Sequence, residues 1–579
     1  MNTKLINGHD IYHYTMSGAK KIIHHENTLN SINVFPVADG DTGSNLAYTM
    51  KCIIANATEH ETVSDTLSSI SEVALEDAYG NSGAIFASFL HGLSVESKGK
   101  DSLSMSEFSD ITNDAVKYAY DALAVPTEGT ILTVIKEWAG FIKNQHIHHL
   151  EFKTLLLEAT KHAKHALLET KKQLKVLRDS DVVDAGALGF VYFLEGIKDY
   201  FLYGKVHLSN NVNTSHKVVD HVNPNFQYCT EFIVEAYEHL DSKLIKEKLV
   251  KTDDSIIVQK IGDYYKIHTH TDHPDAAAKL VTKYGKIIKS KVDDMNLQVR
   301  LNSSSKSAIG IITDSIADIP AQWTVNKNVF QIPLQLIVDG NVYNDRLTLK
   351  NETLFDILKK TQQPATSSQP GETYLQKTFE FMLSHFEDVI GIFVSSEMSG
   401  MYQKAISVQS KIGSKHLHLF DSKTNSGAQA LLVHTLIDQL ESKSSITEVL
   451  SNLNKAVDSA KIFVEIPDLA YATLSGRVPK IVGNIASLLN LKAIISINDD
   501  GKGIVTKELN LKKLMVKKFQ KSPFKKYGIV YTGNKENAIE YHQMMQELTG
   551  HEPVFIQEVS TIVSAFIGEG AIGIAYLED

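Results

Sequence analysis

From residue 306 onward the apolar residues gather into short runs, AIGIITDS, VIGIFVSS, KIFVEIP and YGIVYTG, with helical stretches between them. Runs of this length, rich in β-branched residues and bounded by turn residues, make buried strands. Strands alternating with helices predict an α/β region built on a largely parallel sheet. The first 200 residues obey a different rule. Val63, Leu67, Ile70 and Ala74 recur at helical spacing, as do Leu155, Leu156, Ala159 and Ala163, and strand-like alternation is scarce. Between the two lies a small β-rich block, YCTEFIVEAYE, SIIVQKIG and YYKIHTHTD, with a helical DAAAKLVTKYG between turns. Polar stretches over 205–225 and 301–308 read as linkers. The change of period predicts a multidomain chain: an all-α module, a small α+β module and a large α/β half.

Composition narrows the function classes. With 579 residues, 43% hydrophobic and 22% charged, the chain is long enough for three or four folded domains and is neither disordered nor fibrous. Two cysteines, Cys52 and Cys229, exclude a disulfide framework and fit a reducing compartment. A net charge of −10 argues against nucleic acid as the main partner. The most apolar stretches are interrupted, as by Glu569, and the polar N-terminus lacks the apolar core of a signal peptide. The expected location is the cytoplasm.

The segment NVFPVADGDTGSN, Asn33 to Asn45, carries the most chemistry. Asp39 and Asp41 flank a glycine in a turn too glycine-rich to continue a helix, so their carboxylates can converge on one hard cation such as Mg²⁺. Gly40 and Gly43 let backbone N–H groups approach a nucleotide, and LAYTMKCII reads as a helix with Thr42 to Asn45 at its positive end. The same residues also make an ordinary capped turn. GNSGAIFASFL, Gly80 to Leu90, is a second Gly/Ser turn entering an apolar helix, and PTEGTILTV and VVDAGALGF place Thr130 and Asp184 at the ends of helical segments.

In this order and spacing these segments resemble the DhaL-like kinase domain, specifically that of bacterial fatty acid kinases (FakA-like), over residues 8–205. The resemblance implies a helical barrel that binds Mg–ATP at one mouth. It assigns Asp39 and Asp41 as Mg²⁺ ligands with catalytic weight and Asn33 as an auxiliary ligand. Thr42, Gly43, Ser44, Asn45, Asn81, Ser82, Gly83, Thr130 and Asp184 become nucleotide contacts. Dihydroxyacetone kinases of the same superfamily carry His where this chain has Thr42, and no module resembling their covalent substrate-binding partner is present, which favours the fatty acid kinase branch over a glycerone kinase.

His268 and His270 stand two apart in a probable strand and point to one face, and Cys229 begins another strand. Sulfur and imidazole donors from two strands of one module make a Zn²⁺ site with one position open. A chain with 24 histidines also places some pair two apart without any metal. The block over 220–300 resembles the FakA-like middle domain, whose equivalent segments supply a zinc site. Cys52 lies in an apolar helix and reads as a core residue.

Residues 306–579 resemble the DegV family of fatty-acid-binding proteins through IITDSIADIP, ATSSQPGETY, SSEMSGMYQKA, FDSKTNSG and LSGRVPK. That implies a two-lobed fold with an apolar tunnel for the acyl chain. Ser367, Ser399 and Gly400 are implied as carboxylate contacts, and Arg477 as the lipid-binding and catalytic cation at the head group. Two departures stand out: Met401 replaces a hydroxyl residue, and Phe566 stands where the family usually has His, which weakens the case for phosphorylation at this site. Taken together, the resemblances imply an ATP- and Mg²⁺-dependent kinase that converts a long-chain fatty acid carboxylate to an acyl phosphate. The alternative is a lipid-binding or regulatory chain whose kinase module serves a separate FakB-like carrier. An acyltransferase partner, peripheral membrane contact and a homodimer complete the expectations.

Overall fold

A computed structural model of the protein describes residues 5–145, 152–206, 208, 224–238, 240–303, 306–442, 444–467, 471 and 492–578. The chain divides into two compact units, Met1–Asp272 with Lys291–Ser303, and His273–Ser290 with Ser304–Asp579.

In the first unit seven helices close into a ring. Gly8–His24 touches Val63–Asp77, which touches Gly80–Glu96, and the succession of neighbours runs on through Met105–Ala122, Ile131–Asn144 and Phe152–Gln173 to Ala185–Tyr203. That last helix returns to Gly8–His24. The expected apolar faces are the buried ones: Val63, Leu67, Ile70 and Ala74 lie inside, as do Leu155, Leu156, Ala159 and Ala163. Gly80–Glu96 and Ala185–Tyr203 are apolar nearly all round and carry the centre of the core. There Phe86, Phe89, Trp138, Phe190 and Phe193 meet edge to face, with centroids 4.9 to 6.3 Å apart. Such pairs each add roughly 0.5–1.5 kcal/mol beyond their buried area. Thr42–Asn56 packs against the ring and delivers its N-terminus to one end of it.

The β-rich block folds as expected into strands Tyr228–Ala236, Asp254–Ile261 and Tyr264–Thr271, paired antiparallel, in a four-stranded sheet completed by Gly285–Asp294. It is joined to the helices by hydrogen bonds. The Ala124 N–H donates to the Ile256 carbonyl at 2.9 Å, and Gln259 Nε2 donates to Ser88 Oγ at 2.7 Å in the interior. The linker expected over 301–308 is shorter than the sequence implied, because helix Met295–Ser303 runs through its first three residues. Val299 and Met295 in that helix are buried against Val37, which stabilises a helical end that the local serines disguise. Most of the other linker, residues 209–223, lies outside the described residues.

The second unit holds two main sheets. Leu417–Asp421, Phe386–Phe393, Ser307–Asp314 and Val329–Ile332 form a wholly parallel sheet, as the sequence predicts. The six-stranded sheet does not follow that prediction. Ala460–Ile466 and Tyr527–Tyr531, two of the apolar runs, both pair antiparallel to the C-terminal strand Ile572–Leu577, and only Tyr527–Tyr531 with Phe555–Glu558 is parallel. An apolar run reports burial on both faces and carries no record of direction. Helix Ser426–Glu441 packs against strands of both sheets and is buried nearly all round. Among the described residues, no helix is long and apolar enough to cross a membrane.

Candidate active site

The loop before Thr42–Asn56 is held by its own polar side chains. Asn33 Nδ2 donates to Asp39 Oδ1 at 2.5 Å, and Thr42 Oγ1 donates to Asn33 Oδ1 at 2.9 Å. Asn302 Nδ2 donates to the Asp39 carbonyl. Gly40 sits at φ +67°, a left-handed turn that brings the two carboxylates onto one side. At Gly43 an added Cβ would stand 2.1 Å from the Glu26 carbonyl, so only glycine lets this helix start so close to its neighbour. Burial lifts the Asp39 carboxyl well above the usual range, and the charge of Asp41 lifts it further. Burial raises Asp41 too, while Asn45 and Lys291 pull it back. Two carboxylates that repel each other in a confined cleft are the electrostatic arrangement a divalent cation relieves.

The β-module faces this pair across a narrow cleft of about 40 Å³ that Asn33, Asp39, Asp41, Asn45, Asn81 and Ser82 line from the helical side. Cys229, His268, His270, Lys291 and Asp293 line it from the sheet. One donor atom each from Cys229, His268 and His270 falls within 4.8 Å of the others. His268 Nδ1 lies 3.0 Å from Glu231 Oε1, while its Nε2 is buried with no hydrogen-bond partner. The Nδ1 of His270 lies 3.4 Å from Asp254. Burial, then Glu231 and Asp293, hold the Cys229 thiol well above its ordinary range, so a thiolate here needs a cation to form.

The cleft shares Pro36, Val37, Asn81, Ser82 and His270 with a larger cavity of about 370 Å³. Thr130 and Asp184 line it, each capping a helix: Thr130 accepts from the Leu132 N–H and Asp184 Oδ1 from the Ala187 N–H at 2.7 Å. Val125, Ile131, Leu132, Val250, Ile256 and Phe226 supply apolar walls. Asn81 Oδ1 is buried without a hydrogen-bond partner. A cavity of this size with a few unsatisfied polar groups matches a small-molecule site. Burial lifts the Asp184 carboxyl from 3.8 to about 7. Because this folded pKa is raised, the stability it contributes is full below 3.8 and is lost as pH rises through 7, a full swing of about 4 kcal/mol at most. Asp184→Asn keeps a capping side chain and removes the charge. In protein free of nucleotide and metal, the variant therefore gains on the wild type as pH rises from 5 to 8, read by calorimetry; a difference constant with pH contradicts this.

In the second unit an apolar cavity of about 90 Å³ lies among Ile462, Val464, Ile495 and Val530 on the six-stranded sheet, Val563, Phe566 and Ile567 on helix Thr561–Ile567, and Met398 and Ser426. Ser399 and Gly400 precede helix Met401–Ile412, where Ser399 Oγ accepts from the Met401 N–H at 3.3 Å. Ser367 lies in the short strand Thr366–Ser368.

Three family models match in succession: the DAK2 domain over residues 36–199, the FakA-like middle domain of fatty acid kinases over 225–302, and the DegV family over 308–579. The chain joins all three modules in one polypeptide. The DAK2 and FakA-like segments make its first half kinase-like. A protein of Mycoplasma pneumoniae is 31% identical over 311 residues, covering 49% of this chain and 55% of that one. Protein YloV of Bacillus subtilis is 28% identical over 315 residues, covering 52% and 57%. The matched region thus spans little more than half of these relatives' own length. Among solved structures, DegV of Bacillus subtilis, described as a fatty acid binding protein, is 22% identical, covering 47% of this chain and 100% of that one, with a TM-score of 0.42.

The fold brings most of the expected kinase residues together. Asn33, Asp39, Asp41, Thr42, Asn45, Asn81 and Ser82 share the cleft, and Thr130 and Asp184 share the adjoining cavity. Gly43 and Gly83 face inward as packing positions, and Ser44 is bound to Asn30 through both its N–H, at 3.0 Å, and its Oγ, at 2.9 Å. None of these three lines the cleft or the cavity. In the DegV module Ser367, Ser399 and Gly400 do not line the apolar cavity, although Met398 beside Ser399 does. Arg477 lies outside the described residues. Sequence reading missed Lys291, Asp293 and Glu231. The signal available was KVD, a lysine and an aspartate two apart at a strand end and therefore on one face.

Proposed function

We propose that this chain is an ATP-dependent fatty acid kinase-type enzyme that forms an acyl phosphate from a fatty acid held by its DegV module. The observation that carries the reading is the half-buried Asp39–Asp41 pair, in which the charge of Asp41 lifts Asp39, opening onto a cavity with an unsatisfied Asn81 Oδ1. Asp39, Asp41 and Asn33 would hold Mg²⁺, which when bound neutralises phosphate oxygens. Thr42, Asn45 and Ser82 would orient those oxygens, Asn81 Oδ1 would accept a nucleotide proton, and Thr130 and Asp184 would fix the ribose side of the cavity. Cys229, His268 and His270 would hold zinc, with Glu231 orienting His268 through its Nδ1. The acyl chain would occupy the cavity of the DegV module. A carboxylate acceptor is ionised at neutral pH, so its oxygen attacks without a general base, and positioning and charge stabilisation account for the rate.

ADP release from purified full-length protein, Mg–ATP and a panel of long-chain fatty acids tests this, with lipid-free controls. Lipid-dependent release by the chain alone is the expected result, and release that a separate DegV-type carrier alone restores assigns the acceptor elsewhere. Phe566 favours that second reading: it lines the apolar cavity where the resemblance leads one to expect a histidine at the reacting carboxylate. Silence in both arms discards the fatty acid substrate.

A further inference from the structure

The cleft that holds Asp39 and Asp41 is rich in acid, and phosphate transfer adds more negative charge to it. Along its helical wall, Asn33, Asp39, Asp41, Thr42, Asn45, Tyr79, Asn81 and Ser82 supply no ammonium or guanidinium group. The cation comes from the β-module: Lys291 lines the same cleft and is close enough to Asp41 to act on its charge. Its ammonium is fixed from two sides. Asp293 Oδ2 lies 2.5 Å from Nζ, and the Tyr79 ring centroid lies 4.4 Å away. The side chain is only 26% exposed. Burial works against its charge, but Asp293 and Glu231 keep it protonated well above the ordinary lysine range. A half-buried lysine held by Asp293, set over the Tyr79 ring and lining the same cleft as the Asp39–Asp41 pair has the properties of a fixed charge-stabilising cation.

We propose that Lys291 is a catalytic residue of the phosphoryl transfer, contacting the γ-phosphoryl oxygens. In the step, the acceptor carboxylate oxygen forms a bond to the γ-phosphorus while the bond from that phosphorus to the β,γ-bridging oxygen breaks. ADP leaves with the electron pair, and Lys291 keeps its proton throughout. Charge on the phosphoryl oxygens and on the leaving oxygen is what its ammonium balances. This rests on the kinase reading above, and it gives the FakA-like module a chemical role, that of carrying a cation to a site whose helical wall has none among the described residues.

The test uses full-length protein and the variants Lys291→Met and Lys291→Arg. Binding of Mg–ADP and of Mg–ATP is measured by calorimetry, and lipid-dependent ADP release by steady-state kinetics. Lys291→Met is expected to weaken Mg–ATP at least fivefold while changing Mg–ADP less than twofold. It is also expected to lower kcat by roughly a hundredfold or more, the scale seen when a charge-stabilising donor is removed. Lys291→Arg keeps the charge and is expected to recover part of kcat. Equal losses for ADP and ATP, or a kcat within threefold of wild type, overturn the assignment and leave Lys291 a structural partner of Asp293. Thermal melting reports whether Lys291→Met is folded; if it is not, the ATP-against-ADP comparison on Lys291→Arg decides, since a displaced guanidinium moves ATP affinity only if the group touches the γ-phosphate. Wild-type protein that binds no nucleotide overturns the kinase reading itself, and this proposal with it.

Discussion

Asp41→Ala is expected to reduce lipid-dependent ADP release by at least about a thousandfold, the scale on which loss of one charge-stabilising group slows phosphoryl transfer. The same substitution should raise the melting temperature of the metal-free protein. The second half follows from what holds Asp39: burial first, and then the charge of Asp41 beside it, push its carboxyl well above the ordinary range. Removing Asp41 removes that repulsion, which is expected to outweigh the lost Asn45 hydrogen bond and Lys291 attraction, and Asp41 makes no side-chain cap to its own helix. A gain of roughly 1 kcal/mol would shift the transition of a unit this size by about 2–4 °C. Calorimetry in excess chelator reads the gain, and adding Mg²⁺ should reverse the order, stabilising the wild type and leaving the variant unmoved. Fatty acid binding, proposed for the other unit, should not change. Turnover that survives in Asp41→Ala removes the pair from the metal role, and a lowered melting temperature makes Asp41 a structural residue.

The half of this site built on the helical module was legible in the sequence. Each part is a local device: a Gly-Asp turn, a Gly/Ser helix entry, a capping Thr or Asp at a helix start. Local devices survive in a linear reading because neighbours in sequence are neighbours in space. The expected Cys229–His268–His270 cluster was legible locally only in part: strand alternation places His268 and His270 on one face, while the register that sets Cys229 opposite His270 is a long-range pairing that the resemblance, not the local pattern, supplied. What the sequence hid is long-range. Lys291 reaches Tyr79 and Asp41 only because the strand Gly285–Asp294 lies beside Tyr228–Ala236 in the sheet, and pairing between distant strands has no local signature. The same limit explains the strand directions of the second unit. The carboxylate contacts of the DegV module rested on resemblance alone, and the cavity is lined by other residues, chiefly apolar ones on the six-stranded sheet and the C-terminal helix Thr561–Ile567.

Asp318→Ala is expected to cost the second unit about 3–5 kcal/mol, the usual loss when one partner of a buried ion pair is removed. Asp318 is fully buried. It receives the Arg346 guanidinium, the Ser426 hydroxyl and, at 2.8 Å, the Ser560 N–H, so three segments far apart in sequence converge on one carboxylate. Arg346 also donates through Nε to the Ser315 carbonyl at 3.2 Å and through Nη1 to the Glu558 carbonyl at 3.3 Å. Burial lifts Asp318 to about 6, with the charge of Arg346 restraining the rise. Arg346→Met therefore separates the charge from the scaffold. With the restraint gone the carboxyl rises further and takes up a proton on folding. Since the folded pKa is raised in both, variant and wild type lose stability in parallel from 3.8 to about 6, and only the variant goes on losing it as pH climbs past 6. Asp318→Ala has no such group, so its deficit against the wild type should narrow as pH rises from 5 to 6 and stay constant above that. The consequence reaches function through position: Ser426 and helix Thr561–Ile567, the two elements this carboxylate fixes, line the apolar cavity. Fatty acid affinity in Asp318→Ala should fall along with stability, even at temperatures where the protein remains folded, as tryptophan fluorescence and lipid titration would report. Equal pH profiles for the two variants would mean that Arg346 acts through its carbonyl contacts, and an unchanged lipid affinity would detach the network from the cavity.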